Sequence, residues 1–68
     1  MLNNIEAERG RLGLSKEAIS KKLRITSKTY NGYIGGNNPI PSDVLIAMAD
    51  MFSCRVDYLL GLTDDRSA

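Results

Sequence analysis

Ser27, Lys28 and Asn31 carry the most chemistry in this sequence by type and spacing. On a helix, positions i, i+1 and i+4 share one side. A lysine ammonium placed there can donate to guanine O6 and N7, and an asparagine can pair with both polar atoms of an adenine edge or hold a phosphate. A serine hydroxyl donates or accepts, so it discriminates less. Catalytic chemistry is poorly supported. There is no histidine, so the commonest general base is missing. Cys54 stands alone, which rules out a Cys-His pair, a zinc cluster and an internal disulfide. Gly35-Gly36 follows no strand and reads as a helix stop, and Asp64-Asp65 reads as a solvated acidic pair. No residue pattern here points to a catalytic residue, metal ligand, cofactor or small-molecule ligand.

The elements that would position those side chains lie between Ser15 and Ile34. Ser15 is a good N-cap, and Glu17 suits the positive end of the helix dipole. Ala18, Ile19 and Leu23 fall on one face, with Lys16, Lys21 and Lys22 outward. Arg24-Ile25 breaks the pattern, and Ile25 plugs the turn. Thr26 can cap a second helix with Tyr30, Tyr33 and Ile34 inside and Ser27, Lys28, Asn31 and Gly32 outside. Two helices joined by about four residues read as a helix-turn-helix.

The flanks complete a bundle. A first helix is expected over 2–12, with Ile5 and Leu12 on one face and Asn3 or Asn4 as cap. Gly10 inside it should cost roughly 1 kcal/mol against alanine. Gly13 turns the chain, and Leu14 packs beneath as a staple. The loop Asn37-Asn38-Pro39-Ile40-Pro41 forbids a continuous helix. Ser42 is expected to cap a fourth helix, with Asp43 in its first turn and Val44, Leu45, Met48, Ala49 and Phe52 as its apolar stripe. Val56, Leu59 and Leu60 form the face of a fifth helix, ended by Gly61. Cys54 reads as a small buried hydrophobe. The fold class is all-α, a compact five-helix bundle over 1–62 with a polar, fraying tail over 63–68.

Sixty-eight residues make one small domain with a modest core. No apolar run reaches membrane-spanning length, no charged-then-apolar leader opens the chain, and a lone cysteine fits a reducing cytoplasm. The net charge of +1 conceals a strong asymmetry. Residues 9–28 hold Arg9, Arg11, Lys16, Lys21, Lys22, Arg24 and Lys28 against Glu17, a balance of +6. Residues 1–8 hold −2 and residues 29–68 hold −3. Clustered lysines often mark a mere solvated face, but these coincide with the helix-turn-helix pattern, where a phosphate backbone would lie.

LGLSKEAISKKL at 12–23, ITSKTY at 25–30 and VDYLLG at 56–61 together resemble the lambda-repressor/Cro-like helix-turn-helix family, also called the xenobiotic-response-element type. The resemblance runs from Ile5 to Gly61. It implies base contacts from positions 27, 28 and 32, so Ser27 and Lys28 are candidates while Gly32 leaves the third position without a side chain; Asn31 joins them from its place on the helix. It implies phosphate contact by Lys16 after the cap, where the family often has glutamine. Lys21, Arg24, Thr26, Asn37 and Asn38 are further phosphate candidates. The sequence departs from the family at Ile34, where a glutamate commonly pairs with an arginine matching Arg9; losing it would free Arg9 for phosphate or leave it merely solvated, and would leave Ile34 partly exposed. Arg24 replaces a usual turn glycine and would be strained at positive φ. Tyr30 and Tyr33 are larger than the usual aliphatics and are expected in the core with their hydroxyls at the rim. Self-association is expected around Val56, Leu59, Leu60 and Leu62.

The resemblance implies a cytoplasmic, sequence-specific regulator of transcription that binds double-stranded DNA. It would be a repressor of bacterial, phage or mobile-element type, occupying a near-palindromic operator as a homodimer without cofactor or membrane. The alternative is a protein-interaction module on the same fold, antitoxin-like or adaptor, with weak or no DNA binding. The low net charge, Gly32 and Ile34 favour that alternative.

Overall fold

A computed structural model describes residues 2–67 of the chain, which form five helices and, among the described residues, no strand. They are α1 (Asn3–Arg11), α2 (Lys16–Lys22), α3 (Ser27–Ile34), α4 (Ser42–Phe52) and α5 (Val56–Leu59). The fold is all-α. Residues 1 and 68, at the ends of the expected domain and tail, lie outside the described residues.

Local signals start the central helices. The Ser15 hydroxyl accepts the Ala18 N–H at 3.0 Å, and the Thr26 hydroxyl accepts the Thr29 N–H at 3.1 Å. The other starts differ from expectation. Neither Asn3 nor Asn4 caps α1: both lie inside its first turn, behind Leu2. Tertiary bonds hold this end instead, with the Leu2 N–H on the Ile34 carbonyl at 2.8 Å and the Asn4 amide on the Tyr58 carbonyl at 2.7 Å. Ser42 does not cap α4 either. It is the first helical residue, after Pro41, whose carbonyl accepts the Leu45 N–H at 3.0 Å. Proline suits that boundary because it has no N–H to satisfy.

All five helices end by one device. The chain turns through a left-handed residue, and the following N–H reaches back to a carbonyl five residues earlier: Leu14 to Arg9, Ile25 to Ser20, Asn37 to Gly32, Cys54 to Ala49 and Leu62 to Asp57. Two left-handed residues are not glycine, Arg24 at φ 58° and Ser53 at φ 52°.

The core is built from Ile5, Ile19, Leu23, Tyr30, Tyr33, Ile34, Met48, Phe52, Cys54 and Leu59. Leu14, Ile25, Val44, Leu45 and Ala49 pack on its edge. The Cα radius of gyration is 10.7 Å, matching the ~11 Å of a compact chain this long. No pocket opens among the described residues. Burial raises the Cys54 thiol pKa, as does the nearby Glu8 charge. Three expectations fail here. Leu12 is 40% exposed, because α1 ends at Arg11 and Leu14 takes the inward place. Ile34 is buried, as its place on the inner side of α3 predicts and against the partial exposure drawn from the family resemblance, because α3 presses that face onto α1. Tyr30 is buried whole, its hydroxyl included, because that hydroxyl finds a carboxylate.

A buried acid unites the two ends of the chain. Glu8, 3% exposed, accepts from Arg66 at 2.8 Å, Arg11 at 2.9 Å and the Tyr58 hydroxyl at 3.3 Å. Burial pushes its carboxyl pKa up, but the Arg66 and Arg11 hydrogen bonds more than offset this and leave it lowered. Arg66 also donates to the Phe52 carbonyl, and the Arg55 N–H donates to the Arg66 carbonyl. The segment expected to fray thus carries a specific anchor. No described buried side-chain nitrogen or oxygen lacks a partner.

Candidate nucleic-acid interface

The outer face of α3 follows from what its inner face buries. Tyr30, Tyr33 and Ile34 commit one side to the core. The helical period then turns Lys28 and Asn31 to solvent, with Ser27 and Gly32 half-buried beside them. The four candidate base-contact positions therefore share one side of one helix. α2 packs against α3 and carries Lys16, Lys21 and Lys22, all exposed; Arg24 is exposed in the turn between them. None of these cations, nor Lys28, is in an ion pair among the described residues.

The remaining phosphate candidates divide. Asn37 and Asn38 are exposed in the loop after α3. The Thr26 hydroxyl is engaged locally, accepting the Thr29 N–H and donating to the Thr29 hydroxyl at 2.9 Å. Arg9 departs from expectation. Its guanidinium grips Glu6 at 2.7 and 3.2 Å and donates to the Leu14 carbonyl at 2.7 Å, so it is neither free for phosphate nor merely solvated. Gly32 departs too. The region a side chain at 32 would enter is filled by Asn38, whose amide nitrogen would meet an added Cβ.

Sequence reasoning missed what orients α3. The Tyr30 hydroxyl donates to Glu6 Oε2 at 2.7 Å, on the carboxylate that Arg9 holds. The chain Tyr30–Glu6–Arg9–Leu14 carbonyl ties α3 to α1 and α1 to the residue before the α2 cap. Hydrogen bonds from Arg9, then Tyr30, lower the Glu6 pKa against the opposing effect of burial. Burial, then the bond to Glu6, raises the Tyr30 pKa. The Glu6–Arg9 pair was legible as an i,i+3 match; Tyr30, 24 residues on, gave no such signal.

The self-association candidates also divide. Leu59 is fully buried and belongs to the core, since α5 packs against both α1 and α4. Val56 and Leu60 are half-buried, and Leu62 is 75% exposed.

Five short helices, the second and third meeting across a tight turn with a polar outer face on the third, define a helix-turn-helix protein. The helix-turn-helix family HTH_3 matches residues 5–59, and the chain belongs to that family, the Cro/C1 or xenobiotic-response-element type. It is 38% identical over 52 residues to YobD of Bacillus subtilis strain 168, described as an uncharacterized HTH-type transcriptional regulator. That match covers 76% of this chain and 46% of YobD, so the chain spans about half the length of this curated relative. No solved structure matches it. No described helix is long and apolar enough to cross a membrane.

Proposed function

We propose that the chain is a DNA-binding regulator of transcription that lays α3 in the major groove. One observation carries this reading: Lys16, Lys21, Lys22 and Arg24, on α2 and in the turn after it, are exposed and unpaired among the described residues, and α2 packs against α3, whose outer face offers Ser27, Lys28 and Asn31. Lys28 and Asn31 reach base edges, and Ser27 adds a less selective contact. Lys16, Lys21 and Arg24 neutralise phosphates, with Thr26 and Asn37 at the margins of the same face. YobD's description supports the regulatory role.

An eight-residue α3 spans only ~12 Å, enough for a few base pairs, so the protein acts as a homodimer on a near-palindromic operator. Leu62, with Val56 and Leu60 beside it, supplies apolar surface for that pairing. Repression follows from operator occupancy in the cytoplasm and requires no cofactor. The interaction-module alternative loses a support, because the Ile34 side chain it would present is buried.

Selection from a random duplex pool, followed by gel-shift titration at two salt concentrations, tests the reading. A repeated half-site and steeply salt-weakened binding are expected. Lys28→Ala should relax base preference, and Lys16→Ala should weaken all duplexes alike. Flat, salt-insensitive binding without a selected site would overturn the proposal.

A further inference from the structure

The outer face of α3 can read base edges only if the helix is held at a defined angle. Its inner side, Tyr30, Tyr33 and Ile34, decides which face turns inward. Apolar burial has no direction of its own, and packed helices scatter by roughly 15–20° in crossing angle. Hydrogen bonding to a base edge needs a placement good to about 0.5 Å and 10–20°. Directional bonds can supply it. Among the described residues, Tyr30 makes the one side-chain hydrogen bond that leaves α3 for another helix. Its ring is fully buried, and its hydroxyl donates to Glu6 Oε2 at 2.7 Å. The same oxygen accepts Arg9 Nε at 2.7 Å, and Arg9 Nη1 donates onward to the Leu14 carbonyl at 2.7 Å. Leu14 precedes Ser15, the cap of α2, and Lys16, its first residue. Backbone bonds close the frame at both ends: Leu14 N–H to the Arg9 carbonyl at 3.1 Å, and Leu2 N–H to the Ile34 carbonyl at 2.8 Å.

We propose that Tyr30, Glu6 and Arg9 are positioning residues for DNA recognition, a relay that holds the row Ser27, Lys28 and Asn31 at a fixed distance and angle from Lys16. The inference rests on the DNA-binding reading. The relay acts through register. Phosphate contacts set where the protein sits on the duplex, and base contacts carry the sequence preference. A link between the start of α2 and α3 makes that preference depend on a buried hydroxyl that meets no base. Removing the hydroxyl leaves every cation in place, so binding to random duplex and its salt dependence persist while the preferred site loses its advantage.

The test uses the full chain, a duplex carrying the site selected from a random pool, and a random duplex of equal length. All affinities are measured at a temperature where circular dichroism shows each variant folded. Tyr30→Phe keeps the ring and deletes only the hydroxyl. It should lower the ratio of selected-site to random-duplex affinity about tenfold, with the random-duplex affinity and the salt slope unchanged. Glu6→Ala should lower the ratio equally, and adding Tyr30→Phe to it should lower the ratio no further, because both changes cut one relay. Glu6→Gln should restore most of the ratio, since its carboxamide oxygen still accepts the Tyr30 hydroxyl. Both Glu6 variants lose the charge, so the difference between them isolates the relay. In the free protein, residual dipolar couplings should report a changed angle between α3 and α1 in Tyr30→Phe. An unchanged ratio with only the melting temperature lowered, or unchanged couplings, would make these bonds purely structural and overturn the inference, leaving the regulator reading intact. A wild-type chain that selects no site would overturn both.

Discussion

The cations of α1 and of the segment from Arg55 onward are paired, while those from Lys16 to Lys28 are not. Arg9, Arg11, Arg55 and Arg66 make every ion pair among the described residues, with Glu6, Glu8, Asp57 and Asp65. Lys16, Lys21, Lys22, Arg24 and Lys28 make none. The division nearly follows residue type, and the chemistry explains it. A guanidinium fork holds two acceptors in fixed geometry, as Arg9 does with Glu6 and Leu14, whereas an ammonium is a hydrated point charge on a flexible stem. Arginines here join pieces of the fold, and lysines remain free to meet a polyanion. The net charge of +1 is thus a sum over two populations with different work, and it understates the field on the α2–α3 face.

The largest effect should come from the unpaired population. Replacing both Lys16 and Lys21 by alanine should lower the slope of log affinity against log salt by about 1.8 for each bound protomer, a loss of roughly sixtyfold per protomer at 0.1 M salt. The melting temperature should hardly move. An unchanged slope in the gel-shift titration would mean that these lysines are bystanders.

The paired population should respond in the opposite sense. Glu8→Ala removes a buried acceptor of three groups and should cost about 2 kcal/mol in urea unfolding, leaving the salt slope alone. Acid should reach the same network. Glu6 and Glu8 bind protons more weakly folded than unfolded, so their contribution is complete above the ordinary carboxyl value of 4.5 and drains away as pH falls through their lowered folded values. Thermal melts from pH 6 down to about pH 2 should show the loss, and a Glu6→Gln, Glu8→Gln double variant should flatten it.

The smallest effect belongs to Arg24, the one arginine without an ion pair among the described residues. Its φ of 58° carries the left-handed penalty that glycine avoids, so Arg24→Gly should stabilise the fold by about 0.5–1 kcal/mol. The same change should lower the salt slope by about 0.9 for each bound protomer. A variant that gained stability and kept its full salt dependence would break the link between this turn and phosphate.

What was legible in the sequence was local. Ser15 and Thr26 cap their helices because a hydroxyl meets an N–H three residues on, a distance the helix itself sets. The turn strain at Arg24 was legible from the family pattern, which has a glycine there. The caps at Asn4 and Ser42 were misread because a competitor lay nearby in space or one residue away: Tyr58 took the Asn4 amide, and Pro41 took the boundary. Arg9 was read as free because its acid was sought at position 34, whereas Glu6 supplies it. Leu59 was read as surface because helical spacing tells which residues share a face but not what covers it.

The sequence by itself determined the five helices, their periodic faces and the concentration of cations on the central pair, since each depends on spacings of a few residues. Only the tertiary structure decided that Glu8 would bind Arg66, that Tyr30 would hang from Glu6, and that Asn38 would lie over Gly32. The first two join residues 58 and 24 apart, and the third depends on how a loop folds back on its helix. Such contacts carry no periodic signature, because the chain between the partners fixes their separation only once it has packed.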